Sequence, residues 1–235
     1  SILKNNIEEV YMSSTIAQTP PMGWNSWNCF GRNVNEDVIK ETADAMVKHG
    51  LKDLGYEYVV IDDHWHGGRD NNGRLFPHHQ RFAGGMKALA DYIHSKGLKF
   101  GIYSCAGTKT CGEEPGSFKY EEIDAKTFAE WEVDFLKHDY CFAPLDYKAA
   151  IRRYSKMGNA LKSTGRPILY SICEWGHRSP WLWAKRAGGH MWRVTSDVGD
   201  KWDTPDGCMT RNKTIGILTA IDGMVNLHRY SGPGG

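Results

Sequence analysis

Long apolar runs are missing from this chain: no stretch approaches the roughly 18 residues that a membrane-spanning helix needs. Charge of one sign is also missing. Lys+Arg number 29 against Asp+Glu 28, a formal charge of +1, so there is no basic field to hold nucleic acid or an anionic membrane. A neutral, polar substrate fits that balance better. Cysteine is sparse. The residues at 29, 105, 111, 141, 173 and 208 lack the paired CxxC spacing of a structural zinc site and are too few for a disulfide scaffold. Buried free thiols are the simple reading, with one bridge if the protein is exported. Internal repeats and low-complexity linkers are lacking too, and no basic stretch followed by an apolar one opens the chain, so no leader is expected in it. Because it begins at Ser1 without a methionine, a processed or engineered start is expected.

What the chain does contain is alternation. At 235 residues it is long enough for one α/β barrel of roughly 250. Short β-rich runs alternate with amphipathic stretches, the pattern of a parallel sheet built from βα units. Strands are predicted over MGWNSW (22–27), YVVIDD (58–63), KFGIYS (99–104), FLKHDY (135–140), ILYSIC (168–173) and MWRVTS (191–196). Helices are predicted over 36–50, 86–97, 124–134 and 145–165, with shorter ones around 180–187 and 211–222. Two of these stop at Gly50 and Gly97, where a glycine can take the left-handed conformation that ends a helix. The fold class expected is therefore α/β, a (β/α)8 TIM barrel truncated after about six βα units. Residues 1–18 read as an N-terminal extension and 19–235 as a barrel incomplete at its C-terminus. A complete six-unit open sheet is the alternative.

In parallel α/β proteins the loops beyond the carboxyl ends of the strands carry the chemistry. Here Asp62 and Asp63 end the second strand, Tyr103 lies near the end of the third, Lys137 and Asp139 end the fourth, Glu174 and Trp175 follow the fifth, and Asp197 follows the sixth. Residues two apart on a strand face the same way, so Lys137 and Asp139 share one face and His138 the other. The lysine can keep the aspartate ionised and bind a substrate hydroxyl. Each residue also has a plainer reading. A strand-end aspartate is often an N-cap or turn residue, Lys137 with Asp139 could be a structural ion pair, and the tryptophans at 24, 27, 65, 175 and 202 could fill core. His64 and His66 could with Asp62 ligate a metal, but no later strand end supplies a further histidine facing the mouth, and a turn or binding role is simpler.

The segments TPPMGWNSWNCF, VVIDDHW, GIYSCAGTKTC, FLKHDYC, YSICEWG and WRVTSD occur in the order and spacing of glycoside hydrolase family 27, the clan D α-galactosidases. The resemblance covers about residues 19 to 235. It implies Asp139 as nucleophile and Asp197 as general acid/base, with Trp27, Asp62, Asp63, Tyr103, Lys137, Glu174, Trp175 and Arg193 lining the sugar pocket. Within it, Glu174 and Trp175 look like the loop that receives a 2-hydroxyl, and Cys111 with Cys141 like a disulfide beside the site. SGPGG resembles the approach to a seventh strand, so the last strands and a C-terminal β domain are expected to be absent. The chain departs from the family at His64, where many members have cysteine, and in the position of Cys29, so the family's first disulfide is not expected.

The resemblance implies hydrolysis of terminal α-linked galactose with retention, in which Lys137 and Arg193 keep Asp139 ionised and the pKa of Asp197 is raised by its negative partner. It also implies a carbohydrate as partner, no cofactor or metal, no nucleic acid or membrane partner, and a secreted, periplasmic or lysosomal location. Related specificities remain as alternatives: N-acetylgalactosaminidase, β-L-arabinopyranosidase or isomalto-dextranase. So do a sugar-binding module without turnover and a metal hydrolase using His64 and His66. Asn212-Lys213-Thr214 forms a glycosylation sequon.

Overall fold

A computed structural model describes residues 16–204 and 214–234. Six strands form one parallel sheet: β1 (Met22–Asn25), β2 (Tyr56–Val60), β5 (Lys99–Cys105), β6 (Phe135–Asp139), β7 (Leu169–Ile172) and β8 (Met191–Trp192), hydrogen-bonded in that order. A separate antiparallel hairpin, β3 (His66–Arg69) with β4 (Leu75–Pro77), stands in the connection after β2. The crossovers carry α1 (Trp27–Phe30), α2 (Glu36–Lys48), α3 (Gly85–Ser95), α4 (Glu121–Glu130), α5 (Tyr147–Ser163) and, after β8, α6 (Ile217–Met224). Among the described residues this is a half-barrel, its strands following one another around one side.

The helices form where the sequence gives them a cap and an apolar stripe. Asn35 accepts from the backbone N–H groups of Asp37 and Val38 at the start of α2, satisfying donors that have no partner inside the helix. The buried face of α2 is Ile39, Ala43 and Met46, spaced at four and three as one helix face requires. Asp146 caps α5 by accepting from Ala149 N–H at 2.6 Å.

Strand alternation divides the core in two. Val59, Ile102, Leu136, Tyr170 and Ile172 pack outward with helix residues such as Met86, Phe128 and Met157. Val60, Phe135 and Leu169 face the other way, joined by Tyr58 and Met191, as a layer of inward-pointing side chains does in a barrel. Above that layer, toward the strand ends, Tyr103 pairs in register with Lys137, and Cys105 with Asp139. The polar pair at the end of β6 therefore stands on the inner face. His138 turns outward and is fully buried, its Nδ1 2.9 Å from the Tyr170 hydroxyl.

Three predicted elements come out differently. The sixth strand shrinks to Met191–Trp192, because after Arg193 N–H bonds Ile172 O the chain leaves the sheet and the Arg193 side chain folds back on Thr195 O. The helix over 180–187 is two short 3-10 turns, Pro180–Leu182 and Lys185–Ala187, interrupted by Trp183 in a non-helical conformation and ended by Gly188 at φ +88°. The last helix begins only at Ile217; the earlier part of its predicted span, like the sequon asparagine, lies outside the described residues. The β3–β4 hairpin was not foreseen. Its strand HGGR carries two glycines and reads as loop, yet Gly67 is required there: a Cβ would stand 2.5 Å from Pro77 O.

Candidate active site

The second strand ends early because its aspartates turn their side chains on their own backbone. Asp62 Oδ1 accepts from Asp63 N–H at 2.9 Å, and Asp63 Oδ1 from His64 N–H at 2.8 Å. Asp62 Oδ2 is held between the Asn25 amide, 2.7 Å away, and Lys137 Nζ, 2.6 Å away, while its N–H donates to Ser26 Oγ. Asp63 Oδ2 accepts from Gly112 N–H at 2.7 Å. Both carboxylates are buried, which is tolerable only with this many donors. Trp65, two residues on, sends its indole N–H to Tyr103 O at 2.8 Å, tying this loop to β5.

Asp139 is buried at the end of β6. Its Oδ1 accepts from Tyr140 N–H at 2.8 Å and its Oδ2 from the Tyr103 hydroxyl at 3.0 Å. Burial pushes its pKa up to about 6, against the opposing pull of Lys137, the Tyr140 N–H and the Tyr103 hydroxyl. For Lys137 burial works against the charge, but the acidic neighbours, Asp62 first among them, more than offset it and its pKa is raised. The Cys111–Cys141 disulfide lies alongside, with Cα atoms 5.1 Å apart and Cys111 Sγ 3.4 Å from Asp139 Oδ2. Cys29, Cys105 and Cys173 are free thiols among the described residues; the thiol of Cys105 is raised well above its ordinary pKa, first by burial and then by Asp139.

Asp197 occupies a different environment. It is exposed on the segment after β8, and Arg193 Nη1 binds its Oδ1 at 2.6 Å. Arg193, expected to support Asp139, is thus engaged by Asp197. Glu174 is fully buried after β7, its carboxylate held by Arg178 through both the backbone N–H and the guanidinium. Trp175 follows in the left-handed conformation, φ +55°. Trp27 is exposed over the mouth and stacks with His64 at a ring separation of 6.0 Å.

The structure thus brings Asp62, Asp63 and Lys137 together by hydrogen bonds, pairs Tyr103 with Asp139 next to them, Lys137 and Asp139 being on one strand, and places Arg193 with Asp197 apart. It does not bring His64, His66 and Asp62 together as ligands. His66 is buried against Trp65 with ring centroids 3.9 Å apart, and burial keeps it neutral by lowering its pKa well below the ordinary value; His64 Nδ1 lies 3.5 Å from Glu114. Sequence reasoning missed Asn25, Ser26, Gly112 and Arg178. The first two had a signal, two polar residues inside the apolar run MGWNSW. The others had none.

A parallel half-barrel whose inward carboxylates and cations gather beyond the carboxyl ends of its strands is the architecture of (β/α)8-barrel proteins. The chain belongs to the Alpha galactosidase A family (Melibiase_2), which matches residues 19–213. It is 48% identical to alpha-galactosidase A of Cellvibrio japonicus over 220 residues, 93% of this chain and 53% of that protein. Among solved structures, alpha-galactosidase I of Mortierella vinacea aligns with a TM-score of 0.87 at 43% identity, over 94% of this chain and 59% of that one. The alpha-galactosidase of Saccharomyces cerevisiae with raffinose aligns with a TM-score of 0.90 at 36% identity, over 95% and 52%. The chain spans about half the length of the curated relatives it matches.

Proposed function

We propose that the protein is a retaining glycoside hydrolase that removes terminal α-linked galactose from oligosaccharides, polysaccharides or glycoconjugates, with residues 19–235 contributing the six-stranded part of the catalytic barrel. The observation that carries this reading is Asp139: a carboxylate buried at a strand end, oriented by Tyr140 N–H and Tyr103, beside a lysine that is itself engaged by a second carboxylate. Relatives that carry the alpha-galactosidase name at 48% to 51% identity, and the more distant alpha-galactosidase solved with raffinose at 36% identity, support the sugar.

In this reading Asp139 attacks the anomeric carbon as the glycosidic bond breaks, forming a covalent glycosyl-enzyme. Asp197 gives its proton to the departing oxygen, then takes one from the water that attacks the glycosyl-enzyme. The two environments suit these tasks. A nucleophile is best held rigid and dry, whereas an acid/base must meet leaving group and water, and Asp197 is exposed. Asp62, Asp63 and Lys137 supply acceptors and a donor for sugar hydroxyls, Trp27 an apolar wall, Trp175 with Glu174 the loop on the side of the 2-hydroxyl, and Arg193 a further hydroxyl ligand. The disulfide supports maturation in an oxidising compartment outside the cytosol. Replacing Asp139 with Asn should abolish turnover with the fold intact, and a 2-deoxy-2-fluoro galactosyl substrate with a good leaving group should leave its mass on the peptide containing Asp139. Label on another residue, or near-normal activity in D139N, removes the assignment.

A further inference from the structure

We propose that reduction of the Cys111–Cys141 disulfide converts the edge of the candidate active site into a binding site for a thiophilic divalent cation, zinc or cadmium, held by Cys111, Cys141 and Asp139. The effect of the captured cation on turnover rests on the role assigned to Asp139 above; its binding does not.

The three side chains already offer one ligand atom each, all within 4.8 Å of one another. Cys111 Sγ is 3.4 Å from Asp139 Oδ2. A zinc ion takes thiolate sulfur at about 2.3 Å and carboxylate oxygen at about 2.0–2.2 Å, with ligand atoms across a tetrahedral site some 3 to 4 Å apart. The carboxylate is therefore already at a suitable distance from one sulfur, and only the two sulfurs must separate, which breaking their bond permits. Two thiolates and a carboxylate form a donor set for zinc or cadmium rather than for magnesium or calcium. The partial exposure of Cys111 and Cys141 gives the ion a path and leaves a position for water.

The frame that holds these groups is independent of the disulfide. Cys141 is fixed through its backbone, its N–H donating to Cys105 Sγ at 3.1 Å. The loop carrying Cys111 is closed by Thr110 N–H to Glu114 O at 2.8 Å, and is attached to the aspartate pair by Gly112 N–H to Asp63 Oδ2 at 2.7 Å. Asp139 keeps its Tyr140 N–H, and the Tyr103 hydroxyl on Oδ2 would serve as the outer-shell donor that orients a ligating carboxylate. The stoichiometry is simple. A phosphine reductant transfers two electrons to the disulfide and ends as the phosphine oxide, taking its oxygen from water, whose two protons go to the thiols. Cation binding then releases those two protons. An ion seated there occupies Oδ2 of Asp139 and removes it as a nucleophile.

The test is to reduce the protein with a phosphine, remove the reductant without oxygen, and titrate with cadmium while recording thiolate-to-cadmium charge-transfer absorption and turnover. The expected result is a saturable band for one ion per chain in the reduced protein only, with turnover falling in parallel and recovering on adding a chelator. In D139N the band should persist with affinity weaker by at least about tenfold, the loss that even an outer-shell partner brings. The exposed thiol of Cys29 is controlled with C29S, which should leave the band unchanged. The proposal is overturned if reduced protein gives no band, if C111S with C141S retains it, if D139N binds as tightly as the unsubstituted protein, or if reduction alone unfolds the chain by near-ultraviolet circular dichroism. An intact band with turnover unaffected would leave the cation site standing and count against Asp139 as nucleophile.

Discussion

Lys137 spends its hydrogen bond on Asp62, 2.6 Å away across the sheet, and acts on Asp139 from its own strand through space. The lysine therefore serves two carboxylates at once. In the proposed mechanism it neutralises the one that grips the sugar and tempers the one that attacks.

Replacing Lys137 with Met should leave the Asp62 carboxylate with the Asn25 amide and the Asp63 N–H as its remaining donors. Breaking a buried charge pair on one side costs about 3–5 kcal/mol, and with Lys137 half-buried the lower end applies. We expect kcat/KM to fall on the order of 10²-fold and affinity for free galactose to fall with it. Loss in kcat alone, with galactose inhibition unchanged, would contradict the gripping role.

Because burial holds Asp139 at about 6, the free enzyme should lose activity as the pH falls through that value, where the nucleophile takes up a proton. In the proposed mechanism the ionised form is the active one, so the loss lies on the acid side. Tyr103→Phe removes a hydrogen bond that favours the ionised form. It should move the acid limb of the kcat/KM profile upward and lower its plateau by on the order of tenfold, the worth of one hydrogen bond to a charged group. An unmoved limb would mean that Asp139 is not the group being titrated.

His138 gives a stability prediction separate from catalysis. Burial lowers its pKa from the ordinary 6.5 to about 3, so below 6.5 the unfolded chain binds a proton that the folded chain refuses. The contribution is complete above that pH and drains away as the pH falls toward 3. Between pH 7 and pH 5 this one group should cost about 2 kcal/mol of unfolding free energy. Denaturant titrations of the wild type and of His138→Gln should differ in that slope, the variant being flatter. Equal slopes would show that His138 is accessible to protons in the native state.

Gly112→Ala should be severe for its size. An added Cβ would lie 2.2 Å from His64 Cε1 and 3.0 Å from Asp63 Oδ2. The ring must move, and with it the Gly112 N–H that holds Asp63. We expect KM to rise several-fold with thermal stability little changed, because the displaced groups belong to a loop; an unchanged KM would show that the loop absorbs the methyl group.

Much of the sheet was legible because its signals are local. Apolar runs such as YVVI and FL announce strands, the helical patterns over 36–50 and 145–165 announce two of the helices, and the alternation in FLKHDY already separates Lys137 and Asp139 from His138. What was not legible depends on irregular loop geometry or on distance along the chain. Nothing in the sequence around Glu174 says that Arg178 will fold under it, since both lie in an irregular loop. Nothing around Gly112 says that its N–H will find Asp63, 49 positions earlier. A helix was expected over 180–187, but Ser179 at φ +47° and Gly188 at φ +88° leave room for only two turns. The pairing of Cys111 with Cys141 came from family likeness, as cysteine spacing alone leaves partners open.

The indole of Trp65 works as a rivet. It fastens the loop bearing Asp62 and Asp63 to the strand that bears Tyr103, so the two carboxylates and the tyrosine travel as one rigid body when the backbone breathes. Under the proposed function, hydroxyl recognition would be set before any sugar arrives, with little ordering cost charged against affinity. Empty and occupied forms should superpose around Trp65, leaving adaptation to the outer segments that carry Trp175 and Asp197.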